Sequence, residues 1–134
     1  MFRDFRFHHI GYAVKNIDQT ASYYLEGGWE LSTPITDPIQ NVRIAFLTKA
    51  GHPSIELVTP VNAQSPVVKT LEKSGVSPYH VCYEVNDIEQ AVAMMRNKHF
   101  IPLFKPVAAV ALGSRKICYL YNRHVGLVEL LNKD

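Results

Sequence analysis

A chain of 134 residues with 47% hydrophobic and 19% charged side chains is expected to form a single domain that buries about two thirds of its unfolded surface without a disulfide or structural metal. Lys and Arg number 14 against 12 Asp and Glu, with no basic run beyond Arg115-Lys116, which excludes a nucleic-acid footprint. The apolar content excludes disorder, and a charged fraction below the usual ~25% fits a chain that also buries a subunit interface, so a homodimer is expected.

The opening MFRDFRFHH alternates charged and aromatic residues where a signal peptide would carry an apolar core, and no apolar stretch approaches the ~20 residues of a membrane span. A soluble, cytoplasmic protein with no membrane partner is expected. Cys82 and Cys118 lie inside apolar runs and read as buried free thiols.

Residues 7–14 alternate with aromatic and β-branched content and predict a strand. Asp18 to Leu25 follows with apolar residues at helical spacing, and Asn16 stands where a cap belongs. After Gly27-Gly28, the segments Trp29 to Ser32, Val42 to Lys49 and Ser54 to Thr59 read as strands, with Gly51-His52-Pro53 as a hairpin turn. Ser65-Pro66 opens a short amphipathic linker helix, Val67 to Lys73, that Gly75 ends. The pattern then starts again: a strand at 79–85, a helix over Ile88 to Arg96 with Asp87 as cap, and strands at Ile101 to Phe104, Arg115 to Tyr121 and Val125 to Leu131.

This recurrence is a sequence repeat. His9-Ile-Gly-Tyr-Ala-Val-Lys-Asn-Ile-Asp-Gln aligns with His80-Val-Cys-Tyr-Glu-Val-Asn-Asp-Ile-Glu-Gln, Arg43-Ile-Ala-Phe-Leu with Lys116-Ile-Cys-Tyr-Leu, and Ile55-Glu-Leu-Val with Val128-Glu-Leu-Leu. Three ordered blocks at nearly constant spacing predict two duplicated modules, about residues 6–60 and 77–132, joined by a linker helix region at 61–76.

Strand parity places His9 with Gly11 and Ala13, opposite the greasy Ile10, Tyr12 and Val14 that should pack on the helices. By the same parity His80, Glu56 and Glu129 lie on the face away from the helices. One His and one Glu therefore recur per module. Taken singly each is more often a hydrogen-bonded core residue, but glutamate is almost never buried unless paired, and two of them recur at equivalent positions inside apolar strands. Two imidazoles and two carboxylates without thiolates suit one divalent ion of borderline hardness, Zn, Ni, Co, Mn or Fe(II). His8 has the wrong parity and reads as structural. Tyr12, Tyr83, Tyr23-Tyr24 and Met94-Met95 read as core, while His52, His99 and His124 read as solvated.

The same segments, with Ile55-Glu-Leu-Val-Thr-Pro, resemble the vicinal oxygen chelate superfamily (glyoxalases, bleomycin-resistance proteins and dioxygenases) over essentially the whole chain. They look most like methylmalonyl-CoA epimerases, with glyoxalase I next. The resemblance implies an α+β fold of two βαβββ modules in pseudo-twofold arrangement, forming a cupped mixed sheet around a cleft. It also implies a metal held by His9, Glu56, His80 and Glu129, the second of these being Gln in some epimerases. Such enzymes promote proton transfer α to a carbonyl through a metal-bound enolate. The substrate expected is a small acyl thioester or oxo compound, with Glu129 as catalytic base and Gln40 on the substrate side. An epimerase needs a second base, a glutamate in a Glu-Gln-Gly-Val pattern, and here that segment reads Ile39-Gln40-Asn41-Val42. Asp37 is the nearby carboxylate that could substitute.

That departure keeps other functions open. A glyoxalase I-type lactoylglutathione lyase needs only one carboxylate at the metal, although its glutathione contacts are not identifiable here. An extradiol dioxygenase would use two His and one Glu, against the extra Glu56. A non-catalytic small-molecule binding protein of the bleomycin-resistance type would usually lack the full quartet. Lys69, Lys73, Lys105, Arg115 and Lys116 are candidates for phosphate contacts of a CoA arm.

Overall fold

Alternation, caps and turns build ten strands and three α-helices, a mixed α+β structure, in a computed structural model that describes residues 1–134. The residues fall into two compact units, residues 9–79 and residues 1–8 with 80–134.

The first unit is built from β1 (Arg6–Ala13), α1 (Ile17–Leu25), β2 (Glu30–Leu31), β3 (Ile35–Asp37), β4 (Val42–Thr48), β5 (Ser54–Pro60) and α2 (Val67–Ser74). β1 runs parallel to β5, β5 antiparallel to β4, and β4 carries both β2 and β3 on its outer edge. The Asn16 side chain accepts the Gln19 N–H at 2.9 Å and starts α1 as expected. One sheet face, with Tyr12, Ala45, Leu47, Ile55 and Leu57, packs against Ile17, Ala21 and Tyr24 of α1 and against Trp29. Full burial of such a side chain is worth roughly 1.5–3 kcal/mol, so this face fixes the register of every strand.

The second unit repeats the plan with β6 (Ser77–Val85), α3 (Ile88–Asn97), β7 (Ile101–Pro102), β8 (Val107–Ala109) and a single 3-10 turn at Val110–Leu112. It closes with β9 (Arg115–Asn122) and β10 (Gly126–Asn132). β6 is parallel to β10, β10 antiparallel to β9, and β9 carries β7 and β8. Asp87 caps α3 by accepting the Gln90 N–H at 3.1 Å. Ile88, Ala91 and Met95 of α3 close over Val85, Cys118, Leu120, Val128 and Leu130. Phe2 stacks on Tyr83 with ring centroids 5.1 Å apart, and Phe5 and Phe7 touch the same ring.

Three expectations are corrected. The strands expected at Trp29 to Ser32 and Ile101 to Phe104 are shorter, and each is followed by a further short strand, β3 or β8, that the sequence did not suggest. In both units the outer strand is broken near a proline, Pro34 or Pro106, which has no N–H to offer the ladder. Ser32 and Leu103 nevertheless donate their N–H groups to Phe46 and Tyr119 at 2.9 and 2.8 Å, so the two breaks fall at matching places. Tyr23, read as core, is 77% exposed, because α1 buries the stripe through Ile17 and Ala21 and a residue two places further on points away from it.

Cys82 and Cys118 are buried and form no disulfide with each other. Burial pushes the Cys118 thiol up to about 11, and its Sγ donates to the Phe104 carbonyl at 3.2 Å, which makes it an inert thiol. No helix is long and apolar enough to cross a membrane.

Glu84 is clasped between Arg115 Nη1 at 2.7 Å and Arg6 Nε at 3.0 Å. The Arg115 hydrogen bond, then that of Arg6, holds its carboxyl below its ordinary value of 4.5. A carboxylate with a depressed folded-state pKa stabilises the fold fully above the unfolded value and loses that contribution as pH falls through the folded one. Urea midpoints of the wild type and Glu84→Gln should therefore differ at pH 7 and converge below pH 4.5. A gap that stays constant down to pH 3 would show that the clasp acts by packing alone.

Candidate functional site

The register of the ladders places the polar residues. In β1 and β5, Gly11 pairs with Glu56, and His9 stands two residues earlier on the same face as Gly11. In β6 and β10, Cys82 pairs with Glu129, and His80 stands two residues before Cys82. The third strand of each set adds an aromatic ring: Phe46 pairs with Glu56 and Tyr119 with Glu129. Both units thus present His, Glu and an aromatic side chain in one arrangement, on the face opposite the helices.

The distances follow that equivalence. His9 Nε2 lies 3.5 Å from Glu56 Oε1, and His80 Nε2 lies 3.0 Å from Glu129 Oε1. The His9 ring meets Phe46 edge-on at 5.5 Å and the His80 ring meets Tyr119 at 5.2 Å. All four ionisable residues are at most 4% exposed. Burying a carboxylate costs several kcal/mol unless a cation and hydrogen bonds compensate it, so two such pairs in an otherwise apolar sheet mark a place where charge is wanted.

The other expected residues separate by their surroundings. His8 is half-buried, and His52, His99 and His124 are exposed. Of the candidate phosphate contacts, Arg115 is committed to Glu84 and Lys116 reaches Glu89 at 3.4 Å, while Lys69, Lys73 and Lys105 are exposed.

Asp37 has a role that the sequence reasoning missed. It is 1% exposed, and its Oδ1 accepts the N–H groups of Ile39 and Gln40 at 3.0 and 3.1 Å while Oδ2 accepts Gln40 Nε2 at 2.7 Å. Asn41 closes the turn with φ 58° and donates through Nδ2 to Asn62 Oδ1 at 2.8 Å. Ile39 stands at the tip, 63% exposed. The overlooked signal was the run Asp37-Pro-Ile-Gln-Asn41, with Asp at a turn start and Asn where a left-handed residue is needed. Asp37 pairs with Val42 as Phe46 pairs with Glu56. An even spacing along β4 therefore puts Asp37 on the same sheet face as Glu56, about 13 Å up the ladder.

Residues 8–119 match the model of the Glyoxalase/Bleomycin resistance protein/Dioxygenase superfamily, and the chain belongs to that superfamily. The mitochondrial methylmalonyl-CoA epimerase of Homo sapiens is 29% identical over 129 residues, covering 93% of this chain and 72% of the relative. The uncharacterized protein YqjC of Bacillus subtilis is 30% identical over 128 residues, covering 93% and 90%. A variant of the Streptomyces coelicolor methylmalonyl-CoA epimerase in complex with 2-nitronate-propionyl-CoA superposes with a TM-score of 0.82 at 27% identity, over 96% of each chain. The glyoxalase-like α+β fold implied by the resemblance is the fold of these epimerases.

Proposed function

We propose that the chain is a divalent-metal-dependent isomerase of the methylmalonyl-CoA epimerase type, moving a proton α to the carbonyl of an acyl thioester. The observation that carries this reading is the buried His–Glu pair repeated in the same register in each unit. The similarity to methylmalonyl-CoA epimerases supports the substrate class.

The donor set suits the ion. Each of the four residues offers one ligand atom, two imidazole nitrogens and two carboxylate oxygens, and two carboxylates neutralise one divalent cation. Donors bound at ~2.1 Å lie ~3.0 Å apart at a right angle and ~3.4 Å apart at a tetrahedral one, and the pairs here are spaced at 3.0 and 3.5 Å. His9, Glu56, His80 and Glu129 would hold the ion, and Zn, Ni, Co, Mn and Fe(II) all suit such a set. The ion would supply Lewis-acid polarisation of the substrate carbonyl, which acidifies the adjacent C–H.

The rest falls to the chain. Glu129 takes the α-proton and returns it, while the apolar rings of Phe46 and Tyr119 beside the pairs keep water from competing for the carboxylates. Gln40 contacts the substrate. A glyoxalase I-type lyase is the second reading, favoured by Ile39 in the place of a second base, since one carboxylate at the metal suffices for it.

Calorimetric titration of the metal-free chain with Zn, Ni, Co and Mn should give one ion per chain, and His80→Ala should weaken that binding at least 10-fold, the scale on which even a residue merely supporting a metal ligand counts. A folded wild-type chain that binds none of them would sink the metal reading.

A further inference from the structure

We propose that the flank of the second unit beside Glu129 is a binding surface for an alkyl substituent on the α-carbon, one longer than methyl, with Leu127 and Leu112 as its specificity-determining residues. The inference rests on the acyl-thioester reading above and adds to it the character and size of the group that the reacting carbon carries.

The neighbours of Glu129 along and across its sheet face are apolar or aromatic, His80 apart. Cys82 and Tyr119 stand opposite it on the two adjacent strands, and Leu127 and Leu131 lie two residues to either side on β10 itself. Ile117 pairs with Leu131, and Val107 of β8 pairs with Ile117. The apolar face therefore continues two strands out from β10, a distance of ~9.5 Å. Phe104, Val107, Leu112 and Leu127 pack on this cluster and stay partly exposed. They form its accessible lip.

The fold itself does not require this chemistry, because the repeat carries a different one. Leu127 stands two residues before Glu129, where Ser54 stands two residues before Glu56. Ala109 pairs with Arg115 as Asp37 pairs with Val42, and Arg115 and Val42 each stand four residues before the aromatic residue opposite the glutamate. Equivalent places thus hold Ser and Asp in one unit, Leu and Ala in the other. The apolar choice beside the proposed base then answers to what binds there. The proton that Glu129 takes leaves from the α-carbon, and the other groups on that carbon stand one bond from where the carboxylate meets it. A polar group turned to this flank would lose water against hydrocarbon side chains, whereas an alkyl group gains by burial. A methyl group touches only the near edge, and a surface ~9.5 Å across takes several carbons.

The test is α-deuterium exchange by the full metal-loaded chain on methyl-, ethyl- and propylmalonyl-CoA. The ratio of saturating rate to half-saturating concentration should rise about fourfold with each added methylene, the worth of one buried CH2. From methyl to propyl the gain is about 15-fold. Leu127→Ser, which installs the residue of the first unit, should cut that gain to about fourfold or less. Leu112→Ala, on the turn and outside the sheet, should cut it as well and keeps the test intact if Leu127→Ser fails to fold. A wild-type series that is flat or falls with chain length, or a gain that Leu112→Ala leaves unchanged, would overturn the proposal. Calorimetric titration with methylmalonyl-CoA and propylmalonyl-CoA gives a readout independent of turnover: the propyl compound should bind about 15-fold more tightly, and equal affinities would refute the alkyl surface. A wild-type chain that exchanges none of the three compounds would overturn the proposed reaction and leave the surface to be decided by those affinities.

Discussion

Glu129→Gln is expected to slow α-deuterium exchange of methylmalonyl-CoA by about 10²–10⁴-fold, the range that a positioned general base contributes. Glutamine keeps a ligand oxygen and the side-chain volume, so the chain should still fold and still bind a divalent ion, though less tightly. The effect belongs to the proton: the carboxylate 3.0 Å from His80 Nε2 is the base of the proposed reaction, and an amide cannot accept a proton at neutral pH. Glu56→Gln is the informative comparison, since it removes the equivalent carboxylate from the other pair and leaves Glu129 in place. It should cost much less, as the glutamine found there in some epimerases implies. Equal losses in the two variants would mean that both carboxylates move protons and would overturn Glu129 as the principal base.

Ile39→Glu is expected to turn a chain that exchanges the α-proton with retained configuration into one that inverts it, with racemisation rising by about 10²-fold or more. Inversion requires a base on each face of the carbon, and isoleucine can neither take nor deliver a proton. Asp37 does not fill the gap, because its two oxygens already accept three N–H donors within the turn. Optical rotation and exchange measured in one sample separate the two events. Full racemisation by the wild type, persisting in Asp37→Ala, would show that another proton donor serves the second face.

The repeat made much of the fold and the candidate site legible in the sequence. A strand's period of two tells which face His9, Glu56, His80 and Glu129 occupy, and the duplicated blocks tell that they correspond. The caps at Asn16 and Asp87 were equally visible, because a capping side chain acts within three residues of its partner. What stayed hidden depended on local breaks and on pairing. Pro34 and Pro106 interrupt the outer strands, and the short segments beyond them carry too few residues to show a period. Tyr23 was misplaced because a pair of aromatic residues on a short helix does not reveal which of them lies on the buried stripe. Asp37 looked like a spare carboxylate because its partners are backbone N–H groups, which every sequence has and no composition reveals.

The turn at residues 37–41 also bears on how such a site can change over evolutionary time. Ile39 contributes its backbone N–H to Asp37, a bond that any residue except proline would make, and its side chain points into solvent. Position 39 is therefore decoupled from the stability of the loop that carries it. Isoleucine, glutamate or a polar residue can stand there without loosening Asp37, Gln40 or Asn41. The step between a site with one base and a site with two is then a single substitution with almost no structural penalty. On the proposed reaction, a lineage holding this scaffold would cross between α-proton exchange and inversion by substitution at one exposed position, while the buried pairs stay constant.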